Sequence, residues 1–287
     1  MHAFAVRSPA KMRRGAVVLL AGLLGCAQLP PAPPALPTRV APFSAAQPGG
    51  AYPGGWYALG FTKFRKETRY TLVDDCGTTV VRAHSEGSSS GLVEMVEIDP
   101  RKDRWVTWRW KVSEFVAGID NTRRETDDAP ARVDISFDGD SKNLTLQDRL
   151  WAAQVKALSG IDLPYATIEY VWGEGAPAET VIPNSWTPRI RMIMVERGAN
   201  RVGQWVGEKR NIYEDYRCAF GEDPGKITTI GIITDTDATG GKAEAYYGDI
   251  AFWPQEPIGE PGAELGLTAP TQSKGEQPAI DCTESVK

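Results

Sequence analysis

Residues 226–254 read KITTIGIITDTDATGGKAEAYYGDIAFWP, two β-type runs joined by a turn rich in Gly, Asp and Thr. The first run, Ile227–Thr234, is nearly continuous in β-branched residues, which is typical of a strand buried in a sandwich. The second run, Ala243–Phe252, alternates between two faces, the pattern of a half-buried strand. We therefore predict that the two runs form a hairpin, which closes the fold because apolar periodicity ends after Pro254.

Upstream of this segment the chain contains many more short β patterns and only two short helical ones. The helices are predicted from Thr145 to Gly160 and from Asn211 to Phe220, where capping residues flank each pattern. Frequent short strands with few helices indicate an all-β fold, a single antiparallel β-sandwich, most simply a jelly roll. The other predicted strands are 70–73, 78–83, 92–98, 104–112, 131–137, 166–172 and 189–196.

The amino terminus has the layout of a secretory signal. A basic segment without acids precedes the apolar run Ala16–Leu24, which is too short to span a bilayer. The run ends in Leu23-Leu24-Gly25-Cys26, which resembles the lipobox of bacterial lipoproteins and implies cleavage before Cys26 and lipidation of its thiol. Ala27 follows the cysteine in place of the Asp of an inner-membrane retention signal. We therefore predict an outer-membrane lipoprotein of the cell envelope, facing the periplasm or exposed at the surface.

The composition divides the chain into four segments. Residues 1–25 are the predicted signal peptide, 26–55 a Pro/Ala-rich tether, 56–254 the β-sandwich domain and 255–287 a disordered tail. Removal of the signal leaves 28 basic and 37 acidic residues. A chain this acidic, without a basic cluster, argues against nucleic acid as a partner.

Three cysteines remain after Cys26, so an oxidising envelope permits one disulfide and leaves one thiol over. Cys76 and Cys218 pair if the turn and the helix that carry them meet. Cys282 lies in the predicted tail and is then the odd thiol.

Several segments, taken in order, are similar to one bacterial family. They are Ser90–Leu92, Trp108–Lys111, Asp127-Asp128 with Ala131–Val133, Tyr170–Trp172, Asp215-Tyr216 with Phe220-Gly221, and Asp235–Asp237 with Tyr247–Ile250. Over roughly Trp56–Trp253 the chain resembles the family catalogued as domain of unknown function 3047. That resemblance implies an envelope β-sandwich, similar in pattern to galactose-binding-like carbohydrate modules. It implies no known activity.

Two sequence patterns point to chemistry. Gly87-x-Ser89-x-Gly91 matches the nucleophile elbow of hydrolases, and His84 is the one histidine left after signal removal. An elbow requires a following helix, whereas a strand pattern follows here, so a hairpin loop is the better interpretation. With one histidine and no closely spaced cysteines, transition metals have little support, but acidic loop pairs suit a structural calcium ion, best at Asp235 and Asp237.

The outward faces of the middle strands carry the candidate ligand-binding residues. If these strands are neighbours, they form an Arg-rich face on which guanidinium groups bind sugar hydroxyls or carboxylates and Trp105 stacks on a sugar ring. The alternative is a solvated face with weak cross-strand ion pairs. The candidates are Trp105, Arg109, Lys111, Arg132, Asp134, Glu169 and Arg191.

Three functions remain open. The first is non-catalytic binding of a glycan or another envelope ligand on the charged sheet face. The second is a carbohydrate-active hydrolase or lyase that uses Asp134 and Glu169 with Arg132, which requires that the two carboxylates face one another. The third is a structural or assembly lipoprotein that contacts other envelope proteins. We predict the first, with no cofactor other than possible structural calcium.

Overall fold

The computed structural model describes residues 38–61, 64–185, 187–259 and 280. The described residues all belong to one compact unit. Neither α-helix in the described ranges, α1 (Leu146–Ser159) or α2 (Ile212–Phe220), has the length and hydrophobicity that a membrane span requires. The strands are β1 Thr38–Arg39, β2 Tyr57–Gly60, β3 Arg69–Asp75, β4 Thr78–Glu86, β5 Ser90–Ile98, β6 Trp105–Glu114, β7 Ala129–Phe137, β8 Ala166–Gly173, β9 Val181–Pro183, β10 Ile190–Arg197, β11 Val206–Asn211, β12 Ile227–Asp235, β13 Lys242–Tyr247 and β14 Ala251–Trp253.

The strands form two sheets that pack as a β-sandwich, as predicted. Sheet A has the order β1-β14-β6-β13-β4-β3, with β11 along the other edge of β6. Sheet B has the order β2-β5-β12-β7-β8-β10-β9. The pairs are antiparallel except β8 with β10, which run parallel because the chain crosses back through β9 between them.

Aromatic side chains from both sheets fill the space between them. The predicted alternation of β6 is confirmed, since Trp108 and Trp110 are buried with the flanking valines. Trp108 lies against Tyr170 of β8 with ring centroids 4.9 Å apart, and Trp110 lies 5.9 Å from Trp172. Large rings that meet at these separations contribute packing beyond the area that they bury, so this layer joins the sheets.

The predicted closing hairpin is wrong. β12 pairs with β5 and β7 in sheet B, whereas β13 pairs with β4 and β6 in sheet A. The turn between the two runs therefore crosses from one sheet to the other. The alternating pattern of each run is compatible with either arrangement, because periodicity identifies a strand but not its neighbour.

The second run is also two strands rather than one. Gly248–Ile250 interrupts it, and Gly248 donates its N–H to the carbonyl of Arg109 at 2.9 Å. A Cβ at Gly248 would lie 2.6 Å from Cγ of Arg109, so a glycine is required for this approach. The break changes the alternation, since Tyr247 and Phe252 both enter the core although they fall on opposite faces of an uninterrupted strand.

Part of the predicted tether belongs to the fold. β1 pairs with β14, and Val40 and Phe43 are 2% and 1% exposed. The ring of Phe43 lies 4.7 Å from that of Trp56. The Pro- and Gly-rich composition of this segment reflects turns that run over the sandwich, so the folded part begins before residue 56. Beyond residue 259 the described Ile280 packs against the core, within the segment predicted to be a disordered tail.

Both helices are capped as predicted. Thr145 and Asp148 form a reciprocal capping box, and Gly160 ends α1 with φ 77°. Asn211 caps α2, and Gly221 ends it with φ 69°. The apolar stripe of α1 does not enter the core, because Leu146, Leu150 and Leu158 are 74%, 62% and 68% exposed.

The predicted pairing of Cys76 with Cys218 is wrong. Cys76 is a free, exposed thiol in the turn between β3 and β4, with φ 57°. Cys218 of α2 is disulfide-bonded. The disulfide partner of Cys218 therefore lies outside the described residues, where both Cys26 and Cys282 are found.

A buried ionic network joins sheet A to α2. Arg210 of β11 donates to both carboxylate oxygens of Asp215, at 3.0 and 3.2 Å, and to Glu179 at 2.5 Å. Tyr170 donates its hydroxyl to Asp215 at 2.6 Å. Burial raises the pKa of the Tyr170 hydroxyl well above its usual range, and repulsion from Asp215 adds to that shift. Tyr170 therefore stays protonated inside the core, on the face predicted for it.

Arg210→Met tests the importance of this network. We expect the free energy of unfolding to fall by about 3–5 kcal/mol, because two buried carboxylates would lose their cation. Arg217→Met on the surface of α2, where the side chain is 52% exposed, should change it by less than about 0.5 kcal/mol. Urea titration of both variants measures the difference, and a loss below about 1 kcal/mol for Arg210→Met would show that the network contributes little to stability.

Candidate functional site

A cleft of about 1050 Å³ lies over the outer face of sheet B. Neighbouring strands bring their outward side chains into rows across its floor, since the register sets Thr167 beside Ser136 and Ser136 beside Thr229. The polar groups lie at the centre of the floor. The floor consists of Val93, Met95, Arg132, Asp134, Ser136, Thr167, Glu169, Ile190, Thr229, Gly231 and Ile233.

Two carboxylates face each other at the centre of this floor. The antiparallel register of β7 and β8 places Asp134 directly opposite Glu169. On the other side of Asp134 the register places Gly231 of β12, which adds no side chain. Directly opposed residues have Cβ atoms about 4.5–5.5 Å apart. The adjacency that the enzyme hypothesis required is therefore present.

Arg132 lies beside this pair and uses all of its donors within the protein. Nε donates to Asp235 Oδ1 at 3.2 Å, and Nη1 donates to Glu169 Oε2 at 3.1 Å and contacts Met192 Sδ at 3.3 Å. Nη2 donates to the carbonyl and to Oδ1 of Asp127, at 3.2 and 2.9 Å. A guanidinium has five N–H groups, so none is left for a ligand. Arg132 therefore holds the acidic side chains in position and is not the sugar-binding fork that we predicted.

Asp134 lacks such support. Its side chain is half-buried, and its Oδ1 is inaccessible to solvent and has no hydrogen-bond partner among the described residues. Burial raises the pKa of Asp134 well above its usual value, with repulsion from Glu169 adding to the shift and Arg132 opposing it. Burial also raises the pKa of Glu169, against the attraction of Arg132. Burial likewise raises the pKa of Asp235 to about 7, again opposed by Arg132.

Apolar and aromatic groups border the polar centre. Tyr57 of β2 and Met95 of β5 lie along one edge and are 43% and 61% exposed. Trp151 and Val155 of α1, with Leu163 after it, line the cleft from the helical insert. α1 thus directs Trp151 and Val155 towards the cleft while its leucine stripe faces solvent.

Three predicted ligand-binding residues lie on the other side of the molecule. Trp105, Arg109 and Lys111 point outward from β6, as predicted, but β6 belongs to sheet A. Arg109 is only 1% exposed, with its guanidinium stacked 4.5 Å above the ring of Trp205. Lys111 donates to Asp75 at 2.5 Å. The single Arg-rich face is therefore wrong, because strand pairing divides the outward charges between two opposite surfaces.

Arg191 is also outside the cleft. On β10 it is Met192 that shares the outer face with Glu169, and Arg191 points to the other side. Its Nε donates to the carbonyl of Ala219 in α2 at 3.3 Å. The parallel pairing of β10 with β8 sets this orientation. The prediction from the period-2 pattern, which placed Arg191 on the outward face, is therefore wrong.

The predicted calcium ligands lie at the rim of the cleft, next to Asp128. One carboxylate oxygen from each of Asp128, Asp235 and Asp237 lies within 4.8 Å of the others. Asp235 already accepts from Arg132, and Asp237 is ion-paired with Arg65. The two carboxylate oxygens of Asp128 accept from the backbone N–H groups of Ala238 and Thr239, in the turn after β12. These ion pairs and hydrogen bonds account for the cluster without a cation, and calcium binding stays a prediction.

The Ser89 motif is a connection between sheets. His84 belongs to β4 of sheet A and lies 3.6 Å from Glu244, whereas Ser89 immediately precedes β5 of sheet B. A strand follows Ser89 rather than a helix. The segment is therefore a Gly/Ser-rich loop and not a nucleophile elbow, but the predicted hairpin is wrong, because β4 and β5 belong to different sheets.

Several cleft residues could not be assigned to the cleft from the sequence. Asp127 belongs to a family motif, but it accepts from Arg132 only because the loop before β7 brings it there. Tyr57 and Trp151, the latter within the predicted helix α1, reach the cleft through tertiary packing. The pair Asp134 and Glu169 was found, since both lie on the polar faces of alternating strands.

Asp134→Asn should stabilise the protein by about 1 kcal/mol at neutral pH, because it removes a buried charge that repels Glu169. The pKa of Asp134 is raised on folding, so its ionised form opposes folding once the pH exceeds the unfolded value of 3.8. The gain should therefore be nearly absent at about pH 4 and present at about pH 8 in urea unfolding.

The matched control is Asp223→Asn, whose carboxylate is 57% exposed and lies outside the cleft. A gain of equal size in both variants, or one independent of pH, would contradict the proposed cost of the Asp134 charge.

Three solved structures have a similar chain path. One is the family 11 carbohydrate-binding module of a cellulosomal cellulase of Clostridium thermocellum, with a TM-score of 0.36, 8% identity, and coverage of 76% of this chain and 94% of that one. Another is the K2 cleaved adhesin domain of Lys-gingipain, with a TM-score of 0.34, 12% identity, and coverage of 74% and 96%. The third is an exo-beta-agarase, with a TM-score of 0.33, 10% identity, and coverage of 76% and 25%.

None of the curated proteins matches this sequence. The model of the family described as "Protein of unknown function (DUF3047)" matches residues 54–251, well over half of the chain and nearly all of the sandwich. The resemblance seen in the sequence motifs is therefore confirmed, and the chain is a member of this family of unknown function.

Proposed function

We propose that this protein binds a carbohydrate in the cleft of sheet B. The observation that carries the proposal is the layout of the cleft, a polar centre bordered by aromatic and apolar side chains. A sugar ring has the same division, with hydroxyl groups around its edge and C–H groups on its faces. Tyr57 and Trp151 supply surfaces for the faces, as aromatic rings do when one side remains accessible.

The floor supplies groups for the sugar hydroxyls. Ser136 and Thr167 lie side by side with their hydroxyl oxygens 3.0 Å apart, and each hydroxyl is both a donor and an acceptor. Asp134 presents a carboxyl group in the next row of the floor. The volume of the cleft is at the upper end of the range for small-molecule pockets, which suits an oligosaccharide segment.

Hydrolysis of the bound glycan is the second candidate function, favoured by the pairing of Asp134 with Glu169. Glycoside cleavage requires one carboxyl that stays protonated and one that stays ionised. Asp134, whose pKa is raised well above its usual value, fits the acid. Burial also raises the pKa of Glu169, and the hydrogen bond from Arg132 opposes that shift. The lyase alternative has less support. A lyase would need a base such as a tyrosine, and Tyr170 is buried in the core on the opposite face of β8.

Tyr57→Ala and Trp151→Ala test carbohydrate binding. On a glycan array and in calorimetry with the glycan that it identifies, each should weaken binding about tenfold, or about 1.4 kcal/mol, because a stacking surface is lost. Tyr246→Ala, on the outer face of sheet A, is the control and should bind normally. Failure of the wild-type protein to bind any glycan would contradict the proposal, and release of reducing ends that Glu169→Gln abolishes would favour hydrolysis.

We further propose that Cys26 anchors the protein in the outer membrane. The support is in the sequence, where the short apolar run ends in Gly25-Cys26 and is followed by Ala27. These residues lie outside the described part of the chain. Several acyl chains at one terminus give durable anchoring, which a single chain does not.

Cys26→Ser tests the anchor. The wild-type protein should fractionate with the outer membrane and incorporate labelled palmitate, whereas the variant should lose the label and leave the outer-membrane fraction. Cys76→Ser, which removes an exposed thiol of the folded part, is the control and should remain in the membrane. A labelled Cys26→Ser protein would rule out this cysteine as the lipid attachment point.

A further inference from the structure

The cleft carries more negative charge than its own arginines balance. Among the residues that line it, seven are acidic and three are arginines. Two of those arginines lie at the rim, and Arg65 is ion-paired there with Asp237. Arg132 alone lies in the floor, where it is surrounded by carboxylates. The acidic residues are Glu125, Asp127, Asp134, Asp162, Glu169, Asp235 and Asp237.

The ion pairs of Arg132 leave Asp134 without a counter-ion. The guanidinium donates to Asp127, Glu169 and Asp235, and all five of its N–H groups are used. The side chain of Asp134 lines the cleft and is partly exposed, whereas its Oδ1 is shielded from solvent and has no hydrogen-bond partner among the described residues. A desolvated carboxylate without a counter-ion favours a ligand that brings a charged donor to it.

We propose that the cleft selects a saccharide that carries a free, protonated amine, which binds between the carboxylates of Asp134 and Glu169. The inference rests on the proposed carbohydrate binding and names the class of sugar, an unacetylated amino sugar. An ammonium group is compact and has three donors, so it can reach two carboxylates on adjacent strands at once. Charge-assisted hydrogen bonds of this kind are stronger than those from a neutral hydroxyl.

Other ligands satisfy the floor less well. An acidic sugar would meet an excess of carboxylates, with no donor of Arg132 available to it. A divalent cation of the calcium type requires six or more oxygen ligands, and one oxygen of Glu169 is already bound by Arg132. A neutral sugar leaves the negative charge of the floor unbalanced. The adjacent hydroxyls of Ser136 and Thr167 then bind the remaining sugar hydroxyls.

The charge state of the floor gives a second readout. Burial and repulsion by Glu169 raise the pKa of Asp134, and Asp235 adds to that effect while Arg132 opposes it. A bound ammonium stabilises the ionised carboxylate and so lowers this pKa, which releases a proton on binding. Over the acidic range in which the sugar amine stays protonated, amine binding should therefore strengthen as the pH rises, whereas binding of a neutral sugar should not.

The test is calorimetry on the mature, detergent-solubilised protein with matched oligosaccharides. The probes are a β-1,4-linked glucosamine tetramer, its fully N-acetylated counterpart, a cellotetraose and a tetragalacturonate. At a pH at which the sugar amine is fully protonated, we expect the amine to bind at least tenfold more tightly than its acetylated form and to show a heat that depends on the ionisation heat of the buffer. Repetition at high salt separates a seated amine from general attraction to an acidic protein.

Asp134→Asn should reduce the preference for the amine to less than about threefold and abolish the buffer dependence, while neutral sugars still bind. Asp134→Ser is the second variant in case the amide perturbs the floor, and both are checked for folding by thermal unfolding. Asp223→Asn removes the same charge outside the cleft and should retain the full preference.

The possible failures are distinguishable. Equal binding of the aminated and acetylated sugars, or a preference for the acetylated one, would overturn the amine site and leave carbohydrate binding standing. Tight binding of the galacturonate would likewise overturn it. Absence of binding to every saccharide, on these probes and on the array, would remove both the amine site and the proposed function. Retention of the amine preference in Asp134→Asn and Asp134→Ser would show that the carboxylate of Asp134 is not its cause.

Discussion

The arrangement of the cleft depends on one buried guanidinium. Arg132 extends from the middle of sheet B and donates hydrogen bonds to the loop before β7, to β8 and to β12. It also contacts the sulfur of Met192 in β10. A buried charge is tolerated only when its hydrogen bonds are satisfied, and here all five are. Because the donors form a rigid planar fork, the carboxylates around it are held in fixed positions. The cation thus organises an acidic cleft while all of its own donors are used within the protein.

The same arrangement makes Asp134 the unbalanced member of the floor. Its neighbours share Arg132, whereas Asp134 faces Glu169 and a glycine. A residue that costs stability without supporting the fold is the kind of feature that accompanies a binding or catalytic site. Arg109 on the opposite sheet is a useful contrast. Its guanidinium also lacks hydrogen-bond partners among the described residues, but Trp205 and Gly248 cover it, so it contributes packing rather than a cleft.

The placement of α1 explains why the cleft lies on sheet B. The insert between β7 and β8 is long enough to form a helix that borders the outer face of sheet B and directs Trp151 towards the floor. On sheet A the outward charges of β6 are covered locally, since Lys111 pairs with Asp75 and the guanidinium of Arg109 stacks on Trp205. Similar strand patterns therefore produce a site on one side and a closed, ion-paired surface on the other.

The sequence by itself determined most of the longer strands, the capped helices, the β-sandwich class and the family, because these follow from local periodicity, capping and motif order. It also selected Asp134 and Glu169, which alternation places on polar faces. Tertiary structure decided which strands are neighbours. It separated β12 from β13, moved Trp105, Arg109 and Lys111 to the opposite surface, turned Arg191 towards α2 and incorporated residues 38–55 into the fold. The physical reason is that a two-residue period specifies the faces of a strand, whereas its partners depend on long-range packing.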